Sequence, residues 1–499
     1  MQQATRSRIG AAAVVLWSLL LLATGSGCPS RPSPAPATPD GPVASPSTQR
    51  SEPLRLLVVD DPPLAEALAR EWAARDAGSL DLRQETGEQL VERSRGRLDA
   101  DLVIYPSRML GTLVEAGRLI PLPEFILEDE QWARDDIFSL LRQQEMTWGT
   151  QVYAAPFGSP QLTLIYRGDL FDRFGLKPPA TWSDYDQLVQ RLGQADVREL
   201  LAPADDGAAG GGVIEPLGPG WACHVFLARA ATYTRHRSYY STLFDFRTME
   251  PLVDRPPFVR ALEEVVRAAA NGSPAARNLT PQAAQALFFQ GKAAMVWAWP
   301  HGTAESSPAP EPRGDELGIR FAELPGSREV YHFGGDRWET RSEEDDHRVP
   351  LLAVAGRLGS VTTECRRTRA ALSALVWMTG RTSSGQIASR SRDTTLFRFS
   401  HQAVPQVWTG RQVTARASLE YAEQVAATQG RPLWLVSLRI PGQHLYLAAL
   451  DEAVRAAVAG QQAPREALSE AAGRWREITD ALGPAAQRRA YQRSLGLED

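Results

Sequence analysis

Short apolar runs alternate with helix-like segments from Leu54 onward, and no other feature restricts the possible folds of the chain as strongly. The run Leu54–Val59 precedes a segment whose apolar residues recur at helical spacing. A second run, Asp101–Ile104, also leads into a helix-like segment. Strands that alternate with helices in this way form parallel sheets covered by helices. The predicted fold class is therefore α/β.

The length and the charge of the chain argue against several classes of protein. With 499 residues the chain exceeds one hydrophobic core, so we expect two domains. Its 54 Lys+Arg and 59 Asp+Glu residues give a formal net charge of −5, whereas nucleic-acid binding needs a strongly basic face. No second apolar run of about 18 residues follows the N-terminus, which argues against several membrane spans.

The three cysteines, Cys28, Cys223 and Cys365, are too few for a disulfide scaffold or for a zinc site built from cysteines. Cys223 and Cys365 stand in separate segments without neighbouring ligand residues, so we expect two free thiols. A disulfide between them stays open as an alternative for an exported protein. We expect neither a metal site nor a cofactor.

The N-terminus is typical of a secretory signal. Arg6 and Arg8 precede the apolar stretch Ile9–Ala23, and small residues follow up to Gly27. Cys28 then stands where a bacterial lipoprotein signal places its lipidated cysteine. A membrane anchor helix is the alternative, but the stretch is short for a span of about 20 residues. We expect a signal peptide over residues 1–27, lipidation of Cys28 and export to the periplasmic or extracellular face of the membrane.

A tract rich in Pro, Ser and Ala follows the predicted signal. Such a composition cannot bury enough apolar surface to offset the entropy of ordering, so residues 28–53 are expected to form an extended tether. Folding is expected to begin at Leu54.

Several motifs indicate how the folded part is built. Arg465–Leu482 has the pattern of a long amphipathic helix, with Trp475 on its apolar face and a stop at Gly483. Thr181 marks a helix entry, for which we expect Ser183 as the N-cap. Phe289-Gln290-Gly291 indicates a helix end that turns into a strand. The glycine-rich residues 207–212 lack the lysine of a phosphate loop and predict a surface loop.

Four segments in the same chain order resemble the bacterial extracellular solute-binding proteins of the maltose-binding type. They are DLVIYPSRMLGTLVEAGRLIPLPEFI (101–126), VYAAPFGSPQLTLIYRGDLFDRFGLKPPATWSDYDQLVQRL (152–192), ALFFQGKAAMVWAW (286–299) and AAGRWREITDALGPAAQRRAYQRSLGL (471–497). The chain departs from the family at Arg167, where Asn is common, and in the charged insert DRWETRSEEDDHRV (336–349).

This resemblance implies a two-lobe periplasmic-binding-protein type II fold, in which each lobe is a mixed sheet flanked by helices. We expect residues 54–157 and 296–350 in lobe I and residues 158–295 and 351–499 in lobe II. The ligand of such a protein lies in the cleft between the lobes, and the lobes close around it.

The candidate ligand-binding residues lie near strand ends or predicted crossings between the lobes. Sugars present flat C–H faces and polar edges, so their sites combine aromatic rings with polar groups. Asp60, Asp61 and Ser107 follow predicted strands, where they face a cleft or merely form turns. The full candidate set is Trp297, Trp299, Tyr105, Phe157, Trp221, Tyr240, Trp338, Asp61 and Arg108.

The resemblance implies a substrate-binding lipoprotein of an ABC importer, which takes a sugar or similar polar solute and docks on ABC permease subunits. A two-lobe sensor or adaptor that signals to a membrane receptor is the alternative. An exported hydrolase is a third possibility, because two catalytic carboxylates can lie far apart in sequence. The chain has no His-Glu-x-x-His motif and no Gly-x-Ser-x-Gly motif after the signal, so we name no catalytic residue.

Overall fold

The computed structural model describes residues 52–75, 78–202, 212–272, 274–301 and 317–497. The predicted signal peptide, Cys28, nearly all of the predicted tether and most of the glycine-rich residues 207–212 lie outside these ranges. The chain from Ser51 to Asp499 forms one compact unit. Within the ranges given above, none of the helices combines the length and the apolar character that a membrane crossing requires.

Strands and helices alternate along most of the described chain. The strands are β1 (Leu54–Val59), β2 (Leu80–Glu85), β3 (Leu102–Pro106), β4 (Thr147–Trp148), β5 (Gln151–Val152), β6 (Ala155–Gly158), β7 (Thr163–Arg167), β8 (Val213–Ile214), β9 (Met295–Ala298), β10 (Ile319–Ala322), β11 (Glu329–His332), β12 (Arg337–Thr340), β13 (Leu351–Leu352), β14 (Arg357–Val361) and β15 (Leu435–Val436).

The helices carry most of the remaining residues. They are α1 (Pro62–Ala73), α2 (Gly87–Ser94), α3 (Leu110–Glu115), α4 (Glu124–Leu127), α5 (Gly168–Phe174), α6 (Trp182–Leu192), α7 (Ala195–Arg198), α8 (Ala222–Thr234), α9 (Pro256–Asn271), α10 (Pro281–Phe289), α11 (Thr368–Thr379), α12 (Ser384–Ala388), α13 (Gln406–Thr409), α14 (Ala415–Gln429), α15 (Gln443–Val458), α16 (Pro464–Leu482) and α17 (Pro484–Ser494).

The first sheet has the strand order β2-β1-β3-β14-β6. Its first three strands are parallel, as the alternation of strands and helices predicts, whereas β14 runs antiparallel to both β3 and β6. β3 and β14 are buried along their whole length, because helices cover both faces of the sheet. This sheet and its helices form lobe I.

The second sheet has the strand order β10-β7-β9-β8 and forms the centre of lobe II. β7 pairs antiparallel with β10 and β9, and β8 lies parallel to β9. Three further two-stranded pairings, β11-β12, β13-β15 and β4-β5, complete the described strands. The predicted class, two α/β lobes each built on a mixed sheet, is confirmed.

The strand pairings correct the expected division of the chain between the lobes. β9 and β10, which we expect mostly in lobe I, pair with β7 in the second sheet. β14, which we expect in lobe II, lies between β3 and β6 in the first sheet. The pattern of a short apolar strand is compatible with either sheet, so the sequence does not show where the chain changes lobe.

The helix ends predicted from the sequence agree with the structure, with one correction. α6 begins after Thr181, whose hydroxyl accepts from the Asp184 amide while the Asp184 carboxylate accepts from the Thr181 amide. The N-cap is therefore Thr181 and not Ser183. α10 ends before Gly291, which adopts φ 78° and turns the chain toward β9. Trp475 of α16 is fully buried, as its position on the apolar stripe predicts.

A buried ion pair stands at the centre of lobe II. The Arg229 guanidinium, 0% exposed, donates from Nη2 to Glu215 Oε1 at 2.9 Å. The Cζ atom of this guanidinium lies 4.5 Å from the Trp182 ring centroid and 5.5 Å from the Trp297 ring centroid. The Tyr185 hydroxyl donates to the same Glu215 oxygen at 2.7 Å and accepts from Trp297 Nε1 at 2.8 Å. The aromatic faces thus stabilise the part of the cation that makes no hydrogen bond.

We expect Glu215→Gln to destabilise the protein by about 3–5 kcal/mol, because it leaves the Arg229 charge buried without its partner. The control is Glu250→Gln, which breaks the exposed pair between Glu250 and Arg476 and should cost about 0–1 kcal/mol. Denaturant unfolding followed by circular dichroism gives both free energies. Equal effects of the two variants would contradict the importance of the buried pair.

Candidate functional site

The two lobes meet directly beyond the ends of the strands of the first sheet. Trp299, which follows β9 of lobe II, donates from Nε1 to the Arg392 carbonyl of lobe I at 2.9 Å. Gln282 of α10 in lobe II donates from Nε2 to Asp393 Oδ1 of lobe I at 3.1 Å. Around these contacts lies a group of polar and aromatic side chains that we call the interlobe cluster. It comprises Asp60, Asp61, Arg108, Trp221, His224, Trp299, Arg357 and Asp393.

Arg357 at the start of β14 organises the charges that lobe I contributes to the cluster. Its guanidinium is 2% exposed and donates from Nη2 to the Asp60 carbonyl and to Asp393 Oδ2, both at 2.8 Å. Its Nε lies 3.1 Å from Asp61 Oδ2. One buried cation therefore holds together the end of β1 and the loop that contains Asp393.

Asp61 is held from several sides and has a structural role. Its Oδ1 accepts from the Leu64 amide at 3.1 Å and so caps α1, and its Oδ2 accepts from the Ser391 hydroxyl at 2.5 Å. Burial raises the pKa of the Asp61 carboxyl, although Arg357 and Ser391 act in the opposite direction. Asp60 beside it is exposed, adopts φ 53° and accepts from the Gly87 amide at 3.0 Å.

Arg108 is the second cation that lobe I places in the cluster. The residue follows β3 in a short 3₁₀ turn and is partly buried. Its guanidinium makes no hydrogen bond or ion pair to another residue in the described ranges. Burial lowers the pKa of Arg108, the charge of Arg357 lowers it further, and Asp60 and Asp393 raise it by less. Among the residues that the structure describes, Arg108 is therefore a cation without a direct partner.

Lobe II contributes an aromatic wall at the start of α8. The Trp221 ring is partly exposed, and its centroid lies 5.4 Å from that of Trp299 and 5.8 Å from that of His224. His224 is buried, and its Nδ1 has no hydrogen-bond partner in the described part of the chain. Burial, together with the charge of Arg108, lowers the pKa of His224 to about 3. His224 is therefore neutral at neutral pH.

The structure brings together four of the nine predicted ligand-binding residues: Asp61, Arg108, Trp221 and Trp299. Two others are buried in lobe I: Tyr105, whose hydroxyl lies 2.8 Å from Ser360 Oγ, and Phe157, which packs beside Gly359.

Trp297, Tyr240 and Trp338 lie away from the cluster. Trp297 is fully buried beside Arg229, because β9 continues to Ala298 and still lies in the second sheet at that point. Trp299 reaches the other lobe because it stands after the strand end. Tyr240 is exposed and packs on Phe246, and Trp338 of β12 packs on Tyr331.

Sequence reasoning missed His224, Gln282, Arg357 and Asp393. Nothing in the sequence separates Arg357 from the other arginines, since its role depends on a strand pairing across the chain. His224 had a detectable signal, because it follows Trp221 by three residues and therefore shares a helix face with it.

Other features of the described residues give weaker evidence of a ligand site than the interlobe cluster does. No group of three or more His, Cys, Asp or Glu residues in the described ranges is placed to hold a metal ion. A groove that is partly open to solvent is lined by Leu162, Glu323, Val354 and Arg431 among others. Its main charges already pair with each other, since Arg431 contacts both Glu323 and Asp346. Cys223 and Cys365 are free thiols.

Comparison with known families finds a match to a class of binding proteins. The family model described as bacterial extracellular solute-binding protein matches residues 81–319. The chain is similar to this family over just under half of its length.

Solved structures with the same fold cover nearly the whole described chain. An ABC transporter solute-binding protein from Agrobacterium radiobacter K84 in complex with ribitol has a TM-score of 0.62 at 18% identity, over 85% of this chain and 98% of that one. One from Agrobacterium vitis S4 with bound D-mannitol has a TM-score of 0.60 at 18% identity, over 86% and 99%. The sugar-binding protein MalE from Xanthomonas citri has a TM-score of 0.62 at 14% identity, over 86% and 98%.

We expect His224 to make the stability of the protein depend on pH. Its pKa is about 3 in the folded protein and about 6.5 in an unfolded chain, so the unfolded state binds the proton more readily between these values. Stability is therefore full above pH 6.5 and falls by about 1.4 kcal/mol per pH unit as the pH decreases toward 3. His224→Gln should flatten this loss between pH 6.5 and 5, as measured by denaturant unfolding.

The control for this measurement is His444→Gln, which removes an exposed histidine on which the same Arg108 charge acts. A pH dependence that is the same in the wild type and in His224→Gln would show that His224 is not buried in its neutral form.

Proposed function

We propose that the chain is the solute-binding subunit of an ATP-driven ABC importer and that it captures a sugar, a polyol or a related polar solute between its two lobes. The observation that supports this most directly is the composition of the interlobe cluster. Arg108 and Asp60 come from lobe I, and Trp221 and His224 come from lobe II. A solute at this place contacts both lobes at once, as a protein that binds by closure requires.

Closure of the lobes supplies the mechanism. The open and closed arrangements of such proteins differ by a few kcal/mol, and a solute that contacts both lobes favours the closed one. In this structure the lobes already contact each other through Trp299 with Arg392 and through Gln282 with Asp393. These two hydrogen bonds form only when the lobes are close, so they add to the contacts that the solute makes on closure.

The side chains of the cluster suit a polyhydroxylated solute. The partly exposed Trp221 ring offers a flat apolar face for C–H groups, and Arg108 offers donors for oxygen atoms. Two structural relatives contain the polyols ribitol and D-mannitol, and MalE from Xanthomonas citri is described as a sugar-binding protein. The proposal extends this class of solute to the present chain.

A thermal-shift screen of the exported chain against sugars, polyols and other small polar solutes tests the proposal. Selective binding raises the unfolding temperature, because the solute binds only the folded protein. The solute should be recovered unchanged after incubation, and chemical conversion would instead indicate a hydrolase. If a solute binds the protein but deletion of the gene leaves uptake of that solute unchanged, the result would favour the sensor or adaptor alternative.

We expect Trp221→Ala to weaken binding of a solute from this screen by roughly 30-fold or more, the scale of a binding hot spot. Its free energy of unfolding should change little, because the ring is partly exposed. Trp297→Ala is the matched control, since it should lose about 3–5 kcal/mol of stability and keep its affinity below the unfolding transition. Calorimetric titration and denaturant unfolding give the two quantities. The reverse result would place the ligand at Trp297, away from the cluster.

The export signal and the lipid anchor complete the proposed function. The pattern of Arg6, Arg8, Ile9–Ala23 and Cys28 supports a lipoprotein that is held at the membrane surface while its folded part reaches the permease. The tether of residues 28–53 gives the folded part room to approach that partner.

We expect Cys28→Ser to release the protein from the membrane into the soluble exported fraction. The wild type should carry acyl chains on Cys28, which intact mass spectrometry detects. Cys223→Ser serves as a control, because it also removes one thiol but leaves the predicted anchor in place. A Cys28→Ser protein that stayed bound and unprocessed would indicate a membrane anchor helix instead.

A further inference from the structure

We propose that the solute carries an anionic group, a carboxylate or a phosphate, and that Arg108 binds this group. The inference rests on the proposed function, because it concerns the same space between the lobes. It specifies the charge of the solute, whereas the ribitol and D-mannitol of the structural relatives are neutral.

The carboxylates of the interlobe cluster already accept hydrogen bonds from the protein. Asp61 accepts from Ser391 and from the Leu64 amide, and Asp60 accepts from the Gly87 amide. Asp393 accepts from Arg357 and from Gln282. A neutral sugar donates its hydroxyl protons mainly to carboxylates, and here these acceptors are partly occupied.

The interlobe cluster also has a surplus of hydrogen-bond donors. Arg357 uses Nη1 and Nη2 on the Gly356 and Asp60 carbonyls and on Asp393. Arg108 also carries five N–H groups, yet none of them donates to another residue of the described ranges. None of its nitrogen atoms is among the described buried atoms that lack a partner, so these donors reach solvent and are available to a ligand. An acceptor on a ligand can take the place of water at this position.

The two arginines of the cluster differ in how their charges are paired. Arg357 is paired with Asp61 and Asp393, each within 4 Å of its guanidinium. Of the carboxylates in the described ranges, none lies within that distance of Arg108, although Asp60 and Asp393 act on it from farther away. The pKa of Arg108 is lowered because burial and the charge of Arg357 outweigh these two carboxylates. A ligand anion in contact with the guanidinium would favour the charged form of Arg108, which burial and Arg357 disfavour.

His224 supports the same assignment from the other lobe. Its buried Nδ1 has no partner in the described part of the chain, and its ring lies against Trp221. A neutral imidazole donates one hydrogen bond through whichever nitrogen carries the proton. Together with the planar fork of Arg108, it matches the several oxygens of a carboxylate or a phosphate.

The experiment compares matched neutral and anionic probes by calorimetric titration of the full mature chain. D-glucose is paired with D-glucuronate and with D-glucose 6-phosphate, and sorbitol is paired with D-gluconate. We expect one of the anionic probes to bind at least 30-fold more tightly than its neutral partner, with an affinity that falls as salt is raised. The phosphate and carboxylate arms show which of the two groups is recognised.

Three variants assign the effect to Arg108. Arg108→Gln should weaken the anionic probe by on the order of 30- to 100-fold and leave its neutral partner unchanged. Arg108→Lys should recover only part of the affinity, because it keeps the charge but loses the fork. Arg390→Gln removes the same charge from an exposed position outside the cluster and should leave all affinities unchanged.

Each remaining outcome decides between the two proposals. Equal affinity for neutral and anionic probes, unaffected by Arg108→Gln, overturns the anionic class while the proposed function stands. Failure of every sugar, polyol and anionic derivative to bind overturns the proposed function itself. Arg108 makes no ion pair in the described chain, so Arg108→Gln should keep the unfolding midpoint of the wild type. A large loss of stability would show that Arg108 is structural and would overturn the inference.

Discussion

The buried guanidinium of Arg357 fixes the geometry on which the site depends. It joins the backbone at the end of β1, the carboxylate that caps α1 and the loop that reaches across to lobe II. Removing a cation from water is costly, and the cost is offset only because two carboxylates and two carbonyls surround it. The positions of Asp60, Asp61 and Asp393 follow from this one side chain, and so does the edge of lobe I that faces α8 and α10.

The two lobes stabilise their buried arginines in different ways. In lobe I, Arg357 is satisfied by carboxylates and backbone carbonyls at strand ends. In lobe II, Arg229 has a single carboxylate partner, and aromatic faces cover the rest of its guanidinium. Among the described residues Arg108 has neither arrangement, and the charges of Arg357, Asp60 and Asp393 act on it. This contrast supports the proposed binding of a solute beside Arg108.

The sequence predicts the fold class and the local elements well, because these depend on spacing alone. The stripe of α16 with Trp475 and the glycine turn after α10 lie where the pattern indicates. The lobe boundaries were predicted less well, because β9, β10 and β14 are short apolar strands that fit either sheet. Asp61 and Arg108 could be found in the sequence since they follow strands, whereas Arg357 and Asp393 depend on pairings between distant segments. Trp297 lies inside β9 and packs within lobe II, whereas Trp299 follows the strand end and reaches Arg392 of lobe I.

The central position of β14 has a consequence for how the chain folds. β14 fills the gap between β3 and β6, and the Tyr105–Ser360 hydrogen bond within that pairing spans 255 residues of sequence. Lobe I therefore cannot close its sheet until almost three quarters of the polypeptide has been synthesised, and contacts of such long range form slowly. Until β14 arrives, β3 and β6 each have an edge without a partner. The N-terminal segment thus stays incomplete for most of synthesis, which keeps the chain in a state that can be threaded through a narrow channel before it folds.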